Sequence, residues 1–103
     1  MSYHPLEKLN KLNDGYRNVF VINGEDLILL QHQGERYLLE NLCPHAAWPM
    51  TDAKIIGSDL RCSMHGYLFD LKTGSCTYYT EGPCRGLKVY ELVYRSDEVG
   101  VEL

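Results

Sequence analysis

From residue 16 onward, short runs of apolar and β-branched residues alternate with Gly, Asn, Asp and Ser, a pattern that suits strands better than helices. It predicts strands over 17–22, 27–31, 36–42, 54–56, 59–61, 67–70, 75–79, 87–94 and 99–102. Asn23-Gly24 follows the β-branched run that ends at Ile22, a strong hairpin signal. Further turns fall near Gln33-Gly34, at Gly57-Ser58, at Lys72-Thr73-Gly74 and at Ser96-Asp97-Glu98, while Gly82-Pro83 reads as a loop. Before these strands, Leu6, Leu9 and Leu12 recur every third residue, which reads as a short helical turn closed at Asp14-Gly15. Many short strands without a convincing long helix predict an all-β chain.

The length of 103 residues suits one domain, 1–103, with a core small enough to be marginal. The formal net charge of −4 and the absence of a basic stripe argue against nucleic acid as a partner. The longest apolar run, Leu27-Ile28-Leu29-Leu30, is far too short to span a bilayer, and the first ten residues contain no run of signal-peptide length. The expectation is a cytoplasmic protein without membrane attachment, where reducing conditions keep thiolates available for metal.

Two stretches carry the candidate chemistry: Cys43-Pro44-His45 and, after sixteen intervening residues, Cys62-Ser63-Met64-His65 with Gly66 next. The predicted strands 36–42 and 59–61 lead directly into them, so rigid elements would hold any metal at their ends. Thiolate and imidazole suit zinc or iron, not magnesium or calcium. Cys43, His45, Cys62 and His65 could hold one tetrahedral zinc, or a [2Fe-2S] cluster with both Cys on one iron and both His on the other. Structural zinc sites usually pair Cys with Cys and His with His. Each stretch here is mixed, which favours the two-iron centre clasped from two sides.

With those residues in place, the sequence resembles a small Rieske-type ferredoxin. The first loop continues Ala46-Ala47-Trp48-Pro49-Met50; the second continues Gly66-Tyr67-Leu68-Phe69-Asp70, with Thr73-Gly74 beyond, and Gly82-Pro83 resembles the proline loop that covers such clusters. Ala47 stands where Gly is usual, Met50 where Leu is usual, and Ser63 where Pro is frequent. The resemblance implies stacked antiparallel sheets with a [2Fe-2S] cluster held by two hairpin loops. Members of the bc1 type tie the loops with a disulfide, but Trp48 and Met64 occupy the matching positions here. High-potential members carry Ser and Tyr where this chain has Tyr67 and Phe69, so a low potential is implied.

The implied role is an electron carrier, itself catalysing nothing, that passes single electrons from a flavin reductase to a terminal oxygenase. Ala46, Ala47, Trp48, Pro49 and Met64 would form an apolar docking tip, with Asp97, Glu98 and Glu102 aiding orientation. Alternatives are the small Rieske-like subunit of a larger reductase, such as nitrite reductase, and a zinc-stabilised interaction module. Cys76 and Cys84 are surplus to the ligand count and are expected to pack as small apolar residues, a disulfide between them being the lesser expectation. His4 and His32 are expected to be exposed surface residues.

Overall fold

The computed structural model describes residues 1–44, 47–64 and 66–103. In chain order its strands are β1 (Tyr3–Lys8), β2 (Arg17–Ile22), β3 (Glu25–His32), β4 (Glu35–Glu40), β5 (Lys54–Ile56), β6 (Asp59–Arg61), β7 (Leu68–Asp70), β8 (Cys76–Tyr78), β9 (Val89–Tyr90), β10 (Val93–Arg95) and β11 (Glu98–Glu102). They form three antiparallel sheets of order β1-β11-β10, β2-β3-β4-β9 and β5-β6-β7-β8.

The middle sheet explains the uninterrupted apolar run on β3. Successive strand residues point to opposite faces. Ile28 and Leu30, with Leu39 of β4, belong to a core that contains Leu60, Phe69 and Leu71 of the β5–β8 side. Leu27 and Leu29, with Leu38, belong to a second core with Val99 and Val101 of β11. The four β3 residues are 0–1% exposed, and burying each contributes about 1.5–3 kcal/mol. A sheet covered on both faces needs apolar residues in succession, whereas a half-exposed one alternates. Two tight turns fix the register: Asn23 and Gly24 have φ of 53° and 78°, and Gln33 and Gly34 have 51° and 79°. Positive φ at both central residues is the type I′ geometry whose twist matches that of paired strands.

The amino-terminal segment differs from its sequence pattern. Residues 3–8 are a strand, and the helical turn is reduced to a single 3-10 turn at Leu9–Lys11. Its partner is β11, with Tyr3 opposite Glu102 and Lys8 opposite Glu98, a pairing across nearly the whole chain that local spacing does not reveal. His4 accordingly lies within the sheet opposite Val101, half-buried, with Nε2 shielded from solvent and without a hydrogen-bond partner. His32 is half-buried at the end of β3 opposite Glu35. The predicted strand over 87–94 is two strands: Val89–Tyr90 pairs with β4, and Val93–Arg95 pairs with β11. Asp97 and Glu98 both face Lys8, at 3.3 and 3.5 Å, so part of the acidic charge assigned to orientation is already paired.

Candidate metal centre

The two Cys-His stretches occupy equivalent places. β6 and β7 pair from Asp59 opposite Asp70 to Arg61 opposite Leu68, and the Cys62 amide donates to the Tyr67 carbonyl at 2.8 Å. Cys62–Met64, Gly66 and Tyr67 therefore belong to the tip of a hairpin that opens on Cys62. The first stretch repeats the arrangement: Leu42 bridges Pro49, and the Cys43 amide donates to the Trp48 carbonyl at 2.8 Å. Each tip begins with a cysteine whose amide closes on the residue five positions later. The Trp48 indole Nε1 then donates to Ser63 Oγ at 3.0 Å, joining the two tips through a side-chain hydrogen bond.

Cys43 and Cys62 are both fully buried in the core beneath the β5–β8 sheet. Burial pushes the Cys62 thiol up from its ordinary pKa; the Met64 amide opposes this, while hydrogen bonding and charge coupling to Cys43 add to it. Both cysteines lie in one buried cluster, and a metal that binds them must displace their protons. His45, His65 and Ala46 lie outside the described residues. Among the described residues no three His, Cys, Asp or Glu side chains converge on one point. The sulfur half of a two-Cys, two-His donor set is therefore present, in a dry setting suited to thiolate-ligated iron.

Several supporting residues carry no signal in the motif. Arg17 of β2 donates through Nη1 to the carbonyls of Thr51 and Ala53, clamping the segment that leaves the first tip. Asn41, buried at the base of that tip, receives the Met50 amide on its carbonyl at 2.6 Å and donates through Nδ2 to Asp26 at 3.2 Å. Tyr67 is fully buried; its hydroxyl donates to the Gly82 carbonyl at 2.7 Å and accepts from the Glu81 amide at 3.2 Å, so it holds the proline loop. A polar residue flanking an apolar run was the available sign for Asn41, but nothing in the sequence names its partners.

Ala47 has φ of +52°, in the left-handed region that costs an L-residue roughly 1–2 kcal/mol. That conformation accounts for the usual Gly at this position. Ala47→Gly should therefore stabilise the protein by about 0.5–1 kcal/mol, the strain relieved exceeding the added unfolded-state entropy. A lowered midpoint of thermal unfolding would contradict the assignment.

Cys76 and Cys84 both pack against the core that contains Cys43 and Cys62, as expected of small apolar residues. Burial raises the Cys84 pKa, and interaction with Cys76 raises it further; the Cys76 thiol donates to the Tyr78 carbonyl at 3.5 Å. At the tip, Ala47, Trp48 and Pro49 are exposed, whereas Met64 packs partly into the core. No helix among the described residues is long and apolar enough to cross a membrane.

Comparison with known proteins agrees with this geometry. The family model for the Rieske [2Fe-2S] domain matches residues 2–91. The chain is 31% identical over 84 residues to the ferredoxin component of the naphthalene 1,2-dioxygenase system of Pseudomonas aeruginosa, covering 80% of this chain and 77% of that one. It is 37% identical over 62 residues to the ferredoxin component of the naphthalene 1,2-dioxygenase/salicylate 5-hydroxylase systems of a Ralstonia species, covering 58% of this chain and 60% of that relative's length. Among solved structures, the Sphingomonas yanoikuyae B1 ferredoxin matches with a TM-score of 0.83 at 24% identity, over 99% of both chains.

Proposed function

The chain belongs to the Rieske [2Fe-2S] domain family, and from that footing we propose that it carries single electrons from a flavin reductase to a terminal oxygenase. The observation that carries the proposal is the pair of matched hairpin tips, each opening on a buried cysteine. Cys43 and Cys62 would ligate one iron, and His45 and His65 the other. The bound cluster supplies a reversible one-electron site. The protein's own residues do the rest. Cys43 and Cys62 exclude water from the sulfur side, and the Trp48–Ser63 bond holds the tips in register. Exposed Ala47, Trp48 and Pro49 offer an uncharged surface for brief contact with a partner. Residues 1–103 would act as one domain, in the cytoplasm, where thiols stay reduced.

A test is to combine the purified protein with a flavin reductase and a terminal oxygenase of a ring-hydroxylating system. Product formation should require all three. Turnover that proceeds equally without this chain would overturn the role, and stable co-purification with a large reductase subunit would assign the chain to that enzyme instead.

The side chains near the second tip also set the expected potential. Hydrogen bonds to cluster sulfur favour the more negative reduced state. Phe69 has no donor, and the Tyr67 hydroxyl is engaged with the 81–82 loop. A redox titration should give a midpoint at the low end of the Rieske range, about −0.1 to −0.2 V. A clearly positive midpoint would contradict this reading of Tyr67 and Phe69.

A further inference from the structure

We propose that the outer face of the β5–β8 sheet, beside the second hairpin tip, docks a carboxylate-bearing surface of a redox partner protein through the cation pair Lys54 and Arg61. The inference rests on the electron-carrier reading above. Sheet register makes the pair. Lys54 stands directly opposite Arg61, Arg61 opposite Leu68, and Leu68 opposite Tyr78. Directly opposed residues of antiparallel strands share a face, and the adjacent row of Ile55, Leu60, Phe69 and Cys76 turns to the core. Lys54, Arg61 and Tyr78 are accordingly exposed, with Leu68 half-buried among them. This row is the last before the tip, since the next step is the bond from the Cys62 amide to the Tyr67 carbonyl.

Like charges directly opposite one another on a sheet repel, so the pair is costly unless something neutralises it. Nothing in the chain does. Among the described residues neither Lys54 nor Arg61 makes an ion pair, although the chain carries 14 Asp and Glu against 10 Lys and Arg. Lys8 and Arg85, by contrast, are paired with carboxylates. The carboxylates on this face, Asp59 and Asp70, stand in the next outward-facing row, farther from the tip, and Asp70 accepts from the Lys72 and Thr73 amides. Arg61 is also held toward the tip: a Cβ on Gly66 would lie 3.1 Å from its Nη2 and 3.4 Å from its Nε, so the guanidinium packs along the Gly66 backbone. Ser63, two residues beyond Arg61, receives the Trp48 indole, which makes the row continuous with exposed Ala47, Trp48 and Pro49. A partner with carboxylates around its electron entry would meet opposite charge at the edge of this surface and uncharged residues at its centre. That arrangement steers encounter and fixes orientation.

The sign of a salt effect tests this, because the chain as a whole is acidic, with a formal net charge of −4. Reduced, cluster-loaded protein is mixed rapidly with ferricyanide, an anionic oxidant, as ionic strength is raised from about 0.01 to about 0.15 M. Net charge alone predicts faster oxidation with salt; the Lys54–Arg61 pair predicts slowing, by about three- to tenfold. Lys54→Gln with Arg61→Gln should reverse the sign while leaving the cluster spectrum unchanged, whereas Lys54→Arg with Arg61→Lys should keep it. Lys11→Gln with Lys72→Gln removes the same charge from exposed positions outside this row and should also keep the native slope. Poly-L-glutamate, standing in for the acidic partner surface, should slow the native protein at fixed ionic strength and leave the Lys54→Gln, Arg61→Gln protein unaffected. Faster oxidation of the native protein with salt, reversal by the Lys11 and Lys72 changes, or equal inhibition of both proteins by poly-L-glutamate would overturn the proposal. Failure of the electron-carrier reading shows separately, as the lack of any reversible one-electron reduction before salt is varied.

Discussion

Cys62→Ser should yield a protein without bound iron or inorganic sulfide and without visible absorption, whereas Cys84→Ser should retain both. Serine reproduces the shape of cysteine but does not give an anion that can ligate iron near neutral pH. It also leaves a hydroxyl in a site of 0% exposure, where an unsatisfied group costs about 1–3 kcal/mol. The loss of cluster binding removes folding energy as well, since the ligands converge only in the folded chain. The Cys62 variant should therefore also unfold at a markedly lower temperature. Iron and sulfide assays separate ligation from packing: equal cluster content in the two variants would contradict the assignment of Cys62.

Gly74→Ala should be the most damaging single methyl in the described part of the protein. A Cβ at Gly74 would lie 2.1 Å from the Leu87 carbonyl oxygen and 2.9 Å from Val89 Cγ2, and φ is +77°. Moving the Leu87 segment away is costly, because the Leu87 amide donates to the Gly74 carbonyl at 2.7 Å. Left-handed strain and overpacking together predict a loss of about 2–5 kcal/mol. Gly24→Ala supplies the comparison, since Gly24 has φ of +78° but nothing within 4 Å of the added carbon. It should lose only the conformational part, about 1–2 kcal/mol. Equal losses in chemical denaturation would show that the Gly74 crossing is not close-packed.

The short strands and the two cysteine-bearing tips were legible because period-2 alternation and turn residues are local signals. Strands 54–56 and 59–61 appear where the pattern placed them. What escaped depends on contacts distant in sequence. The spacing of Leu6, Leu9 and Leu12 imitates a helical face, yet pairing with β11 makes residues 3–8 a strand. Tyr90 and Val93 sit in one apolar-rich stretch but pair with different sheets, and no residue between them announces the change. The apolar run at 27–30 excluded a membrane span by its length; its unbroken character was also the sign of a middle layer. At the site, the Cys-His motif named the candidate ligands, while the clamps from Arg17 and Asn41 required the fold.

The most direct test of the account is metal and sulfide analysis of anaerobically purified protein, together with its electron paramagnetic resonance spectrum after reduction. A Rieske centre requires two irons and two inorganic sulfides per chain, a red-brown colour and a distinctive signal on one-electron reduction. One zinc per chain, with no sulfide and no signal, would contradict the assignment of Cys43, His45, Cys62 and His65 to a [2Fe-2S] cluster.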